Sequence, residues 1–202
     1  MRKPVDGPYY KAFAEAADAL ANRDVEKARR ALQPEMERIA DAEYKRGSIA
    51  YTRMAAVFAR DNYTCRYCGR RTIALPVLNA IADILPDVLS RDSVAWKPYL
   101  TDMVFFKLST SLDHKQPVTR GGTQEPKNLV TACWLCNSMK QNYALEELEW
   151  DLLARPTDPW DGLSGVLEAI VEHQSLTKGY YRTWIRALRK PEDIRTWADP
   201  KD

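Results

Sequence analysis

Apolar residues recur every three or four positions at Phe13, Ala16, Ala17 and Leu20, in a stretch dominated by Ala, Glu, Arg and Lys, which predicts helices over residues 8–46. Asn22-Arg23-Asp24 interrupts the pattern, with Asp24 suited to cap the next helix. Pro34 is expected to open a further helix in its first turn, and Gly47-Ser48 to stop it. Residues 51–60 (YTRMAAVFAR) predict a short amphipathic helix with Met54, Val57 and Phe58 inward, leading through Asp61 to Thr64 into a turn. Residues 73–90 predict another helix, bent or ended near Pro86, and residues 91–103 read as irregular. The aromatic and β-branched run 104–113 (VFFKLSTSLD) predicts a strand, Gly121-Gly122 a loop, and Asn128 to Ala132 a second strand. After Cys136 a helix is expected to about Leu153, broken by Pro156 and Pro159, with two last helices near 162–173 and 179–189.

Composition narrows the class. The chain has 202 residues, 45% apolar and 29% charged, which excludes a disordered chain and a disulfide-stapled mini-protein. Lys plus Arg is 30 against 28 acids, so the net charge of +2 leaves any basic surface to be local. No apolar segment follows Met1 to Pro8, so no secretory signal is expected. The most apolar stretch, 72–89, contains Asn79, Asp83, Pro86 and Asp87, which exclude a membrane span. The expected location is therefore the cytoplasm, where cysteines serve as metal ligands or redox groups more often than as disulfides.

All four cysteines fall in two C-x-x-C pairs, Cys65/Cys68 and Cys133/Cys136. A tight turn with two intervening residues aims both thiolates at one ion, and two such turns complete a tetrahedral shell of four sulfurs. Gly69 directly follows the first pair, as such turns favour. A single pair would leave a thioredoxin-like redox site or plain buried thiols open; two pairs point to one structural zinc. A closed shell leaves no position for water, so the chemistry must lie elsewhere. Sixty-four residues separate Cys68 from Cys133, so something folded must sit between the pairs.

The candidate chemistry lies in DHKQPVTRGGTQEPKNLVTACWLCNSMK. Asp113 and His114 end the first predicted strand, Asn128 opens the second, and Asn137 follows Cys136. A carboxylate and an amide oxygen are hard ligands that suit Mg2+ or Mn2+. An imidazole beside such an ion suits general-base activation of water, and a hydrogen bond from Asn128 could hold the histidine loop. Lys115, Arg120, Lys127 and Lys140 supply local positive charge for a phosphodiester.

With these pieces in view, the segment from about Arg53 to Trp150 resembles an HNH endonuclease of the ββα-metal fold, in its zinc-bearing bacterial subgroup. The matching runs are RMAAVFARDNYTCRYCG, LDHKQPVTRGG and NLVTACWLCNSMK. The resemblance covers about half the chain. It implies that Asp113 binds the catalytic divalent metal, that His114 is the general base, and that Asn128 positions the histidine loop. Asn137 would be the second metal ligand, at a position where many relatives carry histidine; this departure favours Mg2+ or Mn2+. The four cysteines would hold the structural zinc. The implied reaction is hydrolysis of a phosphodiester in DNA, leaving 5′-phosphate and 3′-hydroxyl ends. A second departure is the 44 residues between Cys68 and Asp113, where compact relatives use a much shorter link. Residues 72–92 are expected to form a helix on the outside of the module, with Trp96, Tyr99 and Phe105 as its contact surface. Elaboration of the core is favoured there over substrate binding.

The expected fold class is α+β, mostly helical: a ββα-metal module with structural zinc over residues 51–153, carrying a helical insertion at about 72–105. It is flanked by helical regions at 1–50 and 154–202. The N-terminal helices, with Glu35, Glu37 and Glu43 on their surface, suit an accessory subdomain or a dimerisation arm, and a homodimer or a protein partner through the flanking helices is left open. Arg182, Arg186 and Arg189 read as the solvated face of an amphipathic helix rather than a phosphate stripe, and His173 as structural. Arg66, Arg70 and Arg71 around the first pair suit either DNA contact or solubility. The alternative to a nuclease is a non-catalytic zinc-stabilised module that binds DNA or a protein; a redox protein would show reactive thiols and no zinc.

Overall fold

The computed structural model describes residues 8–40, 48–90 and 103–193. Helices α1 (Pro8–Ala21) and α2 (Val25–Ala40) are joined by the predicted break, and Asp24 Oδ1 accepts the Lys27 amide at 2.9 Å, capping α2. Ala16, Ala19 and Ala28 make the small interface between the two helices, while Phe13 and Leu20 stay exposed. Pro34 does not open a helix of its own. It lies inside α2 at an exposed position, where water can replace the one hydrogen bond that proline removes. Gly47 lies outside the described residues.

The largest apolar cluster joins α3 (Tyr51–Arg60), α4 (Leu75–Ile84), α7 (Leu167–His173) and α8 (Gly179–Arg189). Val57 and Phe58 are buried as the pattern requires, with Met54 packed at the edge. Phe58 stacks on Trp184 at 6.4 Å between ring centroids, and Tyr51 meets the same indole edge-on at 4.8 Å. Pro76 stands in the first turn of α4, and the helix ends at Ile84, before Pro86. α4 is not an outer layer: Val77 and Ala80 lie in this central cluster, in keeping with core elaboration. Trp96 and Tyr99 lie outside the described residues. The C-terminal helices share this core rather than standing apart, and Arg53 pairs with Glu192 at 3.1 Å to hold the chain beyond α8. On α8, Trp184 and Ala187 face inward, Arg182 and Arg186 face solvent, and Arg189 pairs with Glu168. His173 is exposed at the end of α7.

Residues 103–108 correct the sequence expectation of a strand: they form helix α5 (Met103–Leu108). The neighbours Phe105 and Phe106 are both buried, Phe105 against Leu78 and Ala82 and Phe106 edge-on to Trp134 at 4.5 Å. A strand would send adjacent rings to opposite faces, whereas one helical turn lets both pack inward. Strand β1 is then only Thr110–His114, paired antiparallel with β2 (Leu129–Cys133), with Asp113 opposite Val130 and His114 opposite Leu129. Helix α6 (Trp134–Lys140) follows β2 directly, so the chain order is strand, strand, helix. The expected helix to Leu153 ends early where Gln141 turns the backbone to φ 50°, after which Leu145, Trp150 and Leu152 pack against the cysteine cluster. The described residues are thus mostly helical, with one two-stranded antiparallel sheet and a cysteine cluster, consistent with a ββα-metal module.

The long gap between the cysteine pairs closes on itself. Ile73 donates to Leu108 O at 2.7 Å and accepts from the Thr110 amide at 3.0 Å, so the excursion leaves and returns at one point. It therefore leaves the two pairs free to meet. No described helix is long and apolar enough to cross a membrane.

Candidate active site

The sulfurs of Cys65, Cys68, Cys133 and Cys136 lie within 4.8 Å of one another, with Cys68 and Cys133 3.9 Å apart. A zinc ion with Zn–S bonds of about 2.3 Å needs sulfurs roughly 3.8 Å apart at tetrahedral angles, so this cluster fits one zinc. Each pair is shaped by its backbone. Gly69, at φ +74°, donates to Cys65 O at 2.8 Å and closes the first turn. Cys133 caps α6, its sulfur accepting the Cys136 amide at 3.4 Å. Hydrogen bonding among the thiols draws Cys68 and Cys133 below the usual thiol range and pushes Cys65 and Cys136 above it.

Asp61 joins the first knuckle to β2. Fully buried, it accepts from Arg60 at 2.9 Å, from Arg66 at 3.2 Å and from the Thr131 amide at 2.8 Å. Arg60 reaches on to Leu129 O and Pro126 O. Arg66 also donates to Leu153 O at 2.8 Å, so this arginine is a buried tie rather than a contact for DNA. Arg70 is exposed, and Arg71 pairs with Asp158 and lies 5.6 Å over the Trp160 ring.

The end of β1 is gripped from three sides. Asp113 is only 6% exposed; its Oδ1 accepts the His114 amide at 2.8 Å and its Oδ2 accepts the Tyr67 hydroxyl at 2.6 Å. Lys140 Nζ lies 3.4 Å from the same Oδ2 and donates to His114 O at 2.7 Å. Burial pushes the Asp113 carboxyl up and the Lys140 ammonium down, while their mutual attraction opposes both shifts. Burial, then the Asp113 charge, pushes the Tyr67 hydroxyl up, so it stays a donor. Asn137, at the middle of α6, donates to Ser111 Oγ and Leu112 O, both at 3.2 Å. Its amide nitrogen is thereby engaged, and its oxygen is the atom available to a cation.

Asn128 clamps the loop that follows His114. Its Oδ1 accepts the Gln116 amide at 2.8 Å, and its Nδ2 donates to Gln116 O at 3.0 Å and Thr123 O at 2.8 Å. The Lys115 amide adds a bond to Asn128 O at 2.8 Å. The loop closes tightly enough that a Cβ on Gly122 would stand 1.9 Å from Gln116 O, so only glycine fits there.

The four cations expected at a phosphate separate. Lys115 is partly exposed on the loop, Lys127 is exposed beside Glu125 at 2.9 Å, and Arg120 pairs with Glu147. Lys140 is fully buried and faces Asp113, which takes it out of reach of a phosphate. Tyr67 and Asp61 are the structurally engaged polar groups that sequence reasoning missed. The signal for Tyr67 was its place between two ligand cysteines; nothing in the sequence pairs it with Asp113.

The donor set suits a hard cation. Asp113 keeps one Oδ1 lone pair beyond its bonds to His114, Tyr67 and Lys140, and Asn137 offers an amide oxygen. Residues 104–143 match the family model of HNH endonucleases. The match spans α5, β1, the clamped loop, β2 and α6, and the four clustered cysteines fit the zinc-bearing subgroup. No curated protein and no solved structure matches the chain.

Proposed function

We propose that this HNH segment is a working endonuclease that hydrolyses phosphodiester bonds in DNA with His114 as general base. The observation that carries the reading is the convergence of Asp113, His114, Asn128 and Asn137 on one strand–loop–helix unit, next to a cysteine cluster shaped for zinc. A module that only bound DNA would have no use for all four together.

In this reading His114 takes a proton from the attacking water, and its main chain is fixed for that purpose. Its amide is tied to Asp113, its carbonyl to Lys140, and the next amide to Asn128 O. Asn128 holds the loop from Gln116 to Thr123, so the imidazole is presented from a rigid backbone. Asp113 and Asn137 would hold Mg2+ or Mn2+. Charge stabilisation on the phosphorane and on the departing 3′ oxygen is the chemistry that such a cation supplies when bound. Lys115 contributes positive charge toward the scissile phosphate from the clamped loop. The products are a 5′-phosphate and a 3′-hydroxyl. The zinc holds the fold and takes no part in the reaction, because four thiolates close its shell.

The test is incubation of supercoiled plasmid with the purified protein in Mg2+, in Mn2+ and in EDTA. Nicked circles in the metal lanes and intact plasmid in EDTA are expected. Intact plasmid in every lane, together with DNA binding, would overturn the catalytic reading in favour of a zinc-stabilised binding module.

A further inference from the structure

Two fully buried polar side chains meet at one carboxylate oxygen, and each comes from a different cysteine pair. Tyr67 stands between Cys65 and Cys68, and its hydroxyl reaches Asp113 Oδ2 at 2.6 Å. Lys140 stands one helical turn beyond Cys136, and its ammonium lies 3.4 Å from the same oxygen while donating to His114 O at 2.7 Å. At 1% and 0% exposure, neither side chain touches solvent or a bound nucleic acid. A buried ion pair is a poor way to add stability, since apolar side chains of similar volume commonly serve as well or better. Its gain is direction: a hydrogen bond fixes where an atom points, and apolar contact does not.

We infer that Tyr67 and Lys140 are positioning residues for the catalytic cation. Together they hold Asp113 by Oδ2, which leaves an Oδ1 lone pair to the ion, and Lys140 fixes the carbonyl of the proposed base as well. The first cysteine turn and the helix that grows from the second thus do more than stabilise the fold: each carries one of the donors that aim the metal ligand. The inference rests on the nuclease reading, in which Asp113 is a ligand.

Tyr67→Phe removes a single buried oxygen, and Lys140→Met removes the charge at similar length. Manganese binding by the full-length zinc-loaded protein, followed by the EPR signal of free Mn2+, reads the effect without relying on turnover. The expected result for either variant is binding weakened about tenfold or more, with zinc content retained. In an Asp113→Ala background, Tyr67→Phe is expected to add nothing, because its target is already lost. Should Lys140→Met fail to fold, Tyr67→Phe decides alone. Wild-type Mn2+ binding in Tyr67→Phe, with Asp113→Ala weakened, would overturn this inference and leave the nuclease reading standing. Wild-type binding in Asp113→Ala at equal zinc content would overturn both.

Discussion

Between α3 and α8 the interior is built from rings and methyl groups, with Phe58, Val77, Leu167 and Trp184 in one apolar cluster. Under the cysteines the buried groups include donors and acceptors: Asp61, Arg66, Tyr67, Asp113, Thr131 and Lys140. The first region is held by contacts that have no direction and tolerate small shifts. The second is held by bonds that lapse when an atom moves by a fraction of an ångström. A helix-rich body that must only persist can use the first kind of packing. A site that must present a carboxylate, an imidazole and an amide in fixed relation needs the second, and a bound ion to close it.

This difference sets what each region loses when a residue is removed. The largest effect is expected from Cys133→Ser. It removes one of the four clustered sulfurs while the serine hydroxyl can still cap α6, so the loss falls on zinc, whose binding in such sites is itself folding free energy. Loss of zinc by metal analysis, with loss of cooperative melting of the hairpin, is the expected outcome; a zinc-free variant with wild-type melting would break the distinction drawn between the regions. Next comes Trp184→Ala in the helical core, expected to cost about 3–5 kcal/mol in denaturant unfolding. Below its melting temperature that variant should keep its zinc, because no cysteine contacts the Trp184 cluster. Zinc loss from the folded variant would show that the regions are not separable.

Asn128→Ala sharpens the comparison within the polar region. Three side-chain hydrogen bonds disappear from the loop after His114, with an expected cost of about 1–3 kcal/mol in stability. Nicking should fall on the order of a hundredfold, since misplacement of a reacting group is costly. A stability loss with full nicking rate would reduce the clamp to a structural device. The smallest effect is expected from Arg182→Ala on the outer face of α8. It should stay within about 0.5 kcal/mol in unfolding and leave nicking unchanged. A large fall in DNA cleavage would instead make that face a phosphate contact.

The same contrast governs how much could be read from the chain. Apolar periodicity located α3 and α8 to the residue, because a helix in an apolar core needs little else. Periodicity failed at 103–108, where aromatic residues favour a strand in isolation and packing of Phe105 and Phe106 in one turn decided otherwise. It failed again at Gln141, whose positive-φ backbone ends α6. The cysteine pairs, Asp113, His114, Asn128 and Asn137 were legible as a motif, because each C-x-x-C is local and the rest fall within one run from Asp113 to Asn137. The partners of that motif were not. Tyr67 lies 46 positions from Asp113, and Asp61 lies 70 positions from Thr131, so only the folded chain shows that they meet.

The central claim, that the clamped strand–loop–helix unit is a nuclease with His114 as base, is tested most directly by one comparison. The rate of Mg2+-dependent plasmid nicking is measured for the wild-type protein and for His114→Ala at equal zinc content. Nicking by the wild type and its loss in the variant are expected, with melting temperature and zinc unchanged. Nicking by His114→Ala at the wild-type rate would contradict it.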